Sequence, residues 1–166
     1  PLPDDLERCA ADIKGAAYFM DASQVGICQM PQSAWYAGAE QPEHHHAVVL
    51  LIEYPRLPEA DNLARQWLEP AQADASRLRA LEIAACIAGH IRWMGMQATV
   101  HIAGNESVDL ERLAVVSGLA VRQGYRIKNP YLRSFAIAAV TTNYTLACDQ
   151  PLAASALESV GRAYYQ

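Results

Sequence analysis

Apolar residues recur along this 166-residue chain in two rhythms, one helical and one extended. Near the start, Leu6, Cys9, Ala10, Ile13, Ala16 and Ala17 fall at three- and four-residue spacing. That spacing predicts a helix running to about Tyr18, with Asp4 or Asp5 as its cap. Asp4 and Glu7 add negative charge at the positive end of its dipole. Residues 23–30 read as a short strand with Val25 and Ile27 on one face. Residues 47–54 (AVVLLIEY) form a continuous apolar run, the pattern of a strand buried on both faces in the middle of a helix-covered sheet. Pro55 and Pro58 end it, because proline cannot donate to a ladder.

A short helical piece is expected over residues 62–67, stopping near Pro70. Asp74 or Ser76 then caps the longest helix, which Gly95 closes. Its expected apolar stripe is Leu78, Leu81, Ala84, Ala85, Ala88, Ile91 and Met94. A strand over residues 97–102 follows, and Asp109 caps a helix over residues 110–117 that Gly118 ends. Beyond it come a polar loop, an Asn129-Pro130 turn, a buried strand from Phe135 to Val140, and a helical stretch after Pro151.

An apolar content of 52% in 166 residues suits one domain spanning residues 1–166 with a sizeable core. The start at Pro1 rather than a methionine is compatible with a piece of a longer chain. A net charge of -5 gives no basic footprint, so no nucleic-acid partner is expected. No apolar run reaches the ~20 residues of a membrane helix and nothing resembles a signal peptide, so the expected setting is cytoplasmic, away from membranes. Cys9, Cys28, Cys86 and Cys148 lie far apart without a CxxC pair, and reduced thiols are favoured over two bridges. His44, His45 and His46 invite a metal hypothesis. Neighbours in an extended chain point to alternating sides, so at most His44 and His46 share a face, and no acid or thiol is placed to complete a site. A solvated lead into the next strand is the expectation, with no metal. His90 and His101 are read as ordinary hydrogen-bonded histidines.

The order of features in residues 113–151 carries more information. A helix leads to Gly118-Leu119-Ala120, then Asn129-Pro130, the strand Phe135 to Val140, Thr142-Asn143-Tyr144-Thr145-Leu146 and Asp149-Gln150-Pro151. Earlier come Asp21, Val25-Gly26-Ile27, Trp35-Tyr36, and Ile91-Arg92-Trp93-Met94-Gly95-Met96-Gln97-Ala98. This order resembles the cobalamin-dependent reductive dehalogenases and their relative epoxyqueuosine reductase. The resemblance implies an α/β fold, a flavin-nitroreductase-like α/β sandwich with a mixed sheet covered by helices. It is not a Rossmann fold, since no GxGxxG follows a strand. It also implies cobalamin in an extended pocket, its lower base displaced from cobalt, with Gly118, Leu119, Gly124, Asn129, Thr142, Asn143 and Tyr144 lining it.

The departures from the family pattern matter as much. Ala120 replaces a glycine, and one methyl can cost a close backbone approach. Val121 replaces an acid, Asn143 and Thr145 replace Asp and Pro, and the loop to Pro130 is one residue shorter. Arg122, Arg126, Lys128 and Arg133 could meet the phosphate of a nucleotide tail or simply be solvated. Tyr18, Tyr36, Tyr125, Tyr131 and Tyr144 are candidate proton donors, and spacing selects none of them. No cysteine follows Pro151, where the family carries Cys-x-x-Cys runs, so no iron–sulfur cluster is expected. The preferred reading is a degenerate, non-catalytic domain with a structural or dimerisation role, its pocket plugged by Tyr125 or Tyr131. The alternatives are a working corrinoid carrier for a catalytic dehalogenase module, and a small flavin-dependent reductase. A corrinoid, such a module or a second copy of the chain would be the partner.

Overall fold

The computed structural model describes residues 5–104 and 107–157. Helix α1 (Leu6–Phe19) starts at Asp5, whose carboxylate accepts the Arg8 backbone N–H at 3.1 Å. Strand β1 (Gln24–Gln29) leads through a single 3-10 turn to β2 (His46–Glu53). A short helix α2 (Arg65–Leu68) runs through another 3-10 turn into α3 (Gln72–Trp93). Strand β3 (Ala98–Ile102), helix α4 (Leu110–Val116), strands β4 (Val121–Gln123) and β5 (Arg126–Lys128), and strand β6 (Phe135–Thr142) complete the order. Of the helical stretch expected after Pro151, residues 158–166 lie outside the described residues.

The main sheet has the order β1-β2-β6-β3, and every pairing in it is antiparallel. The mixed sheet implied by the resemblance is therefore an antiparallel one among the described residues. The long run at residues 47–54 is an inner strand, as its uninterrupted apolarity requires: Val48, Val49, Leu50 and Leu51 are all fully buried. Alternation splits it between two cores. Val48, Leu50 and Ile52 pack with α1 and α3, and Ala47, Val49 and Leu51 pack with α4. Each such aliphatic side chain contributes about 1.5–3 kcal/mol on burial. The result is a sheet sandwiched between two helical layers. Gly26 lets the second layer close: a Cβ there would lie 2.5 Å from the Ser117 carbonyl oxygen at the end of α4.

Four expectations change. The buried face of α3 is Ser76, Ala80, Ile83, Ala84, Ile87, Ala88 and Ile91, so only Ala84, Ala88 and Ile91 of the expected stripe belong to it. Leu78 is 67% exposed, and Ser76 is no cap but a core residue donating to the Glu53 carbonyl. Leu78 and Trp93 on the exposed side are apolar too, which leaves two stripes to choose between. The stretch read as a loop before Asn129 contains the β4–β5 hairpin, turned by Gly124 with φ +59° and Tyr125. A glycine at the first turn position is what a type II′ hairpin takes. Tyr125 is fully exposed and Tyr131 is 67% exposed, so neither plugs anything.

Candidate functional site

The residues expected to line a pocket fall into two groups. Gly118 follows α4 with φ +77°, and the place a Cβ would take is already occupied by the Gln150 carbonyl oxygen. Leu119 and Ala120 are buried in the core beneath α4, the Ala120 methyl included. Asn129 ties this loop down. Its amide nitrogen donates to the Leu119 carbonyl at 2.7 Å and to Gln24 Oε1 at 2.5 Å. Its oxygen accepts the N–H groups of Tyr131 and Leu132 at 2.7 and 2.8 Å. Two donors and two acceptor lone pairs are all an amide has, so Asn129 is saturated. Gly124 stands apart at the hairpin tip, with open space where its side chain would be.

The second group closes the other end of the sheet. Thr142 Oγ1 donates to the Gln97 carbonyl at 2.6 Å and accepts the Tyr144 N–H at 2.9 Å. Asn143 Oδ1 accepts the Gln97 N–H at 2.8 Å. Tyr144 turns into the α1–α3 core, and burial pushes its phenol up to about 12, with Cys9 and then Asp12 adding to the shift. Register gives the span between the groups. Asn129 holds Gln24 at one end of β1, whereas Thr142 pairs with His46, which pairs with Gln29 at the other end. Five residues of strand at about 3.3 Å each put roughly 17 Å between them.

The structure draws together residues that the sequence did not. His44 and His46 are each only 7% exposed, which corrects the expectation of a solvated stretch. His44 Nδ1 lies 2.8 Å from Thr141 Oγ1, and His101 Nε2 lies 2.9 Å from the same oxygen. The Trp35 ring stands edge-on to His101, 6.0 Å away. The Gln97 side chain lies beside His44 and favours its charged form. The Thr141 hydroxyl has one proton and two lone pairs, so it can donate to one of these imidazole rings while accepting from the other. Such a chain has one direction and needs the accepting ring neutral. Burial lowers His44 and pushes His101 down to about 4, and neighbouring histidine charge lowers each further. His46 is also lowered, first by burial, and its Nδ1 is buried with no partner. His46 reaches the Leu146 carbonyl instead of Thr141, so the two rings do not converge. Among the described residues no three His, Cys, Asp or Glu side chains gather around a metal position.

Asp149 is a further residue whose role was not legible. Val25, Ile27 and Gln29 turn their N–H groups out from edge strand β1, and a side chain meets each one. Tyr18 Oη takes Val25, Asp149 Oδ2 takes Ile27 at 2.8 Å, and Cys148 Sγ takes Gln29. The Asp149 N–H bonds the Ile27 carbonyl, and its other oxygen pairs with Lys14 at 2.6 Å. The edge is closed by side chains, which blocks pairing with another strand.

Of the basic residues, Arg122 pairs with Glu111 at 3.5 Å. Lys128 and Arg133 flank a cavity of about 300 Å³ beside Asn129, and Arg126 and Arg133 border one of about 460 Å³. A larger cavity of about 580 Å³ includes Tyr36, Tyr54, Arg77 and Arg122 in its lining, and another of about 480 Å³ includes Trp35, His44 and His46. None of these four is lined by Gly118, Leu119 or residues 142–144. No helix among the described residues is long and apolar enough to cross a membrane.

No family model matches the chain, and no curated protein does. Solved structures do. A reductive dehalogenase whose structure suggests a mechanism for B12-dependent dehalogenation is 43% identical with a TM-score of 0.85, over 92% of this chain and 22% of that one. The catabolic reductive dehalogenase NpRdhA is 41% identical, with a TM-score of 0.84 and the same coverage. An epoxyqueuosine reductase, solved with a modified tRNA stem loop, is 14% identical at a TM-score of 0.63 over 90% of this chain and 49% of that one, which is a likeness of fold. This chain therefore spans about a fifth of the dehalogenases it matches. Its fold, and its identity to them over nine-tenths of its own length, make it a reductive-dehalogenase-like domain.

Proposed function

We propose that this domain is a degenerate copy of a cobalamin-binding domain, non-catalytic, with a structural or pairing role beside a catalytic dehalogenase module. The observation that carries the reading is the saturation of Asn129, whose every donor and acceptor bonds to its own chain. Gly118 supports it, because the space its missing side chain leaves is filled by Gln150 rather than open to a ligand. Ala120 does too, with its methyl in the core. The residues present do not fit a corrinoid: a ligand here would have to displace internal hydrogen bonds in two places roughly 17 Å apart.

The test is a thermal melt with and without hydroxocobalamin, on the protein and on Ala120→Gly. A ligand at a hundredfold excess over its dissociation constant stabilises by about 2.7 kcal/mol. No shift in either protein, and no corrinoid absorbance after gel filtration, is the expected result. A clear shift in the unmodified protein overturns the reading. One observation favours the second reading, a corrinoid carrier: Lys128 and Arg133 flank the Asn129 cavity, where the phosphate of a nucleotide tail would meet charge. Loss of such a shift in Arg133→Ala would assign that role.

A further inference from the structure

The two edges of the main sheet are finished differently: side chains close β1, and β3 is left bare. Strand residues alternate the side to which their N–H and C=O groups turn. Gln97 turns toward β6, where Thr142 Oγ1 donates to its carbonyl and Asn143 Oδ1 accepts its N–H. Thr99 and His101 follow it, so Ala98, Val100 and Ile102 turn outward. Arg92 Nε marks that outer side by donating to the Ala98 carbonyl at 3.0 Å. Among the described residues no group bonds the outward N–H and C=O of Val100 or Ile102. Residues 98–102 hold no proline, Lys, Arg, Asp or Glu, the residues that commonly keep an edge from pairing.

The flank of α3 beside this edge is complementary to itself. Asp74, Leu78, Leu81, Ala85 and Arg92 follow one another at helical spacing along one line. Arg92 fixes that line on the β3 side, and Arg79 on the other flank pairs with Asp21 next to α1. Leu78 and Ala85 are exposed. The line is acidic at its start, basic at its end and apolar between, so an antiparallel copy meets it with opposite charge.

We propose that β3 pairs antiparallel with β3 of a second copy, Val100 exchanging hydrogen bonds with Ile102 of the copy. Two four-stranded sheets then become one across a two-fold axis. Paired strands lie about 4.8 Å apart. Because α3 lies over β6 and β3, each α3 comes to rest beside its copy, at about the 8–10 Å of packed helices. Ala85 sits near the axis, where its small side chain permits the approach, and Arg92 turns toward Asp74 of the copy. A stable dimer buries about 800 Å² per partner, which a short edge alone does not reach, and the apolar flank of α3 adds to it. The pairing role proposed above thereby gains a surface, and the two readings fail separately: hydroxocobalamin tests the degenerate pocket, and association tests the edge.

The experiment is sedimentation of the whole protein over a wide range of concentration, with amide exchange measured at both ends of the range. The expected result is a monomer–dimer equilibrium in which the Val100 and Ile102 amides slow as the dimer forms. Val100→Pro removes an N–H that faces outward in the monomer, and Thr99→Lys places a charge at an exposed position of the strand. Each is expected to be monomeric at concentrations where the unmodified protein is dimeric. Should either variant fail to fold, exchange in the unmodified protein still decides. A protein that stays monomeric throughout, its edge left for a different strand, would overturn the proposal. So would a dimer whose β3 amides stay unprotected, or one that survives both substitutions.

Discussion

Asn129 and Thr141 each sit at the centre of a buried polar knot, and the two knots behave differently. Asn129 carries no titratable partner, and its amide is saturated in one arrangement that proton concentration does not touch. Thr141 has one hydroxyl proton to serve two imidazoles, and the arrangement works only while the ring that accepts it stays neutral. Protonating that ring would leave the hydroxyl facing two donors, its own proton without either imidazole. The first knot is a fixed tie, and the second holds only above a certain pH. Saturation by amides gives permanence, and saturation by histidines gives a condition.

Acid should separate them with the largest effect. His101 is depressed from 6.5 in the unfolded chain to about 4 in the folded one, so the unfolded state takes up protons first as pH falls. The stability it contributes is complete above about pH 6.5 and is lost progressively toward pH 4. That amounts to about 3 kcal/mol for this group alone, with His44 adding in the same direction. Denaturant melts at pH 7.5 and pH 4.5 measure it, and equal stabilities would remove the conditional knot.

Asn129→Ala comes next, at a cost of about 2–3 kcal/mol from the carbonyl and N–H groups left without partners. That cost should be the same at pH 7.5 and pH 5, and a pH-dependent cost would break the contrast. Thr141→Val keeps the shape and removes both histidine bonds, costing about 1–2 kcal/mol at neutral pH. It should also change the slope of stability against pH, which Asn129→Ala should not. The smallest effect belongs to His46→Phe. Removing a buried nitrogen that has no partner offsets the lost bond to Leu146, so the change should stay within about 1 kcal/mol of neutral. A loss well beyond that would mean that His46 Nδ1 has a partner after all.

Much of this architecture could be read from residue order because it is set by local pattern. The run at residues 47–54 is an inner strand and Asp109 is a cap, accepting the Arg112 N–H at 3.0 Å. What escaped is set by distant partners. His44 looked solvated because Thr141 lies 97 residues away, and nothing near His44 in sequence announces it. The α3 face was misjudged because Leu78 and Trp93 on the outside are as apolar as Ile83 and Ile87 within. The β4–β5 hairpin was missed although Gly124 followed by one residue between short alternating segments is its signal. At the candidate site, order located Gly118, Asn129 and Thr142. It could not show that their polar groups would be turned inward, because Gln24, Gln97 and Gln150 come from elsewhere in the chain.

The Asp149 clasp has a consequence for how the chain is made. Ile27 leaves the ribosome 122 residues before the carboxylate that covers its N–H. During that interval β1 can pair with β2, since only a loop separates them, while its outer edge from Ile27 onward stays a bare template. A nascent or truncated chain ending before Cys148 would therefore offer that edge to its neighbours on the polysome, and should be sticky in a way the finished chain is not.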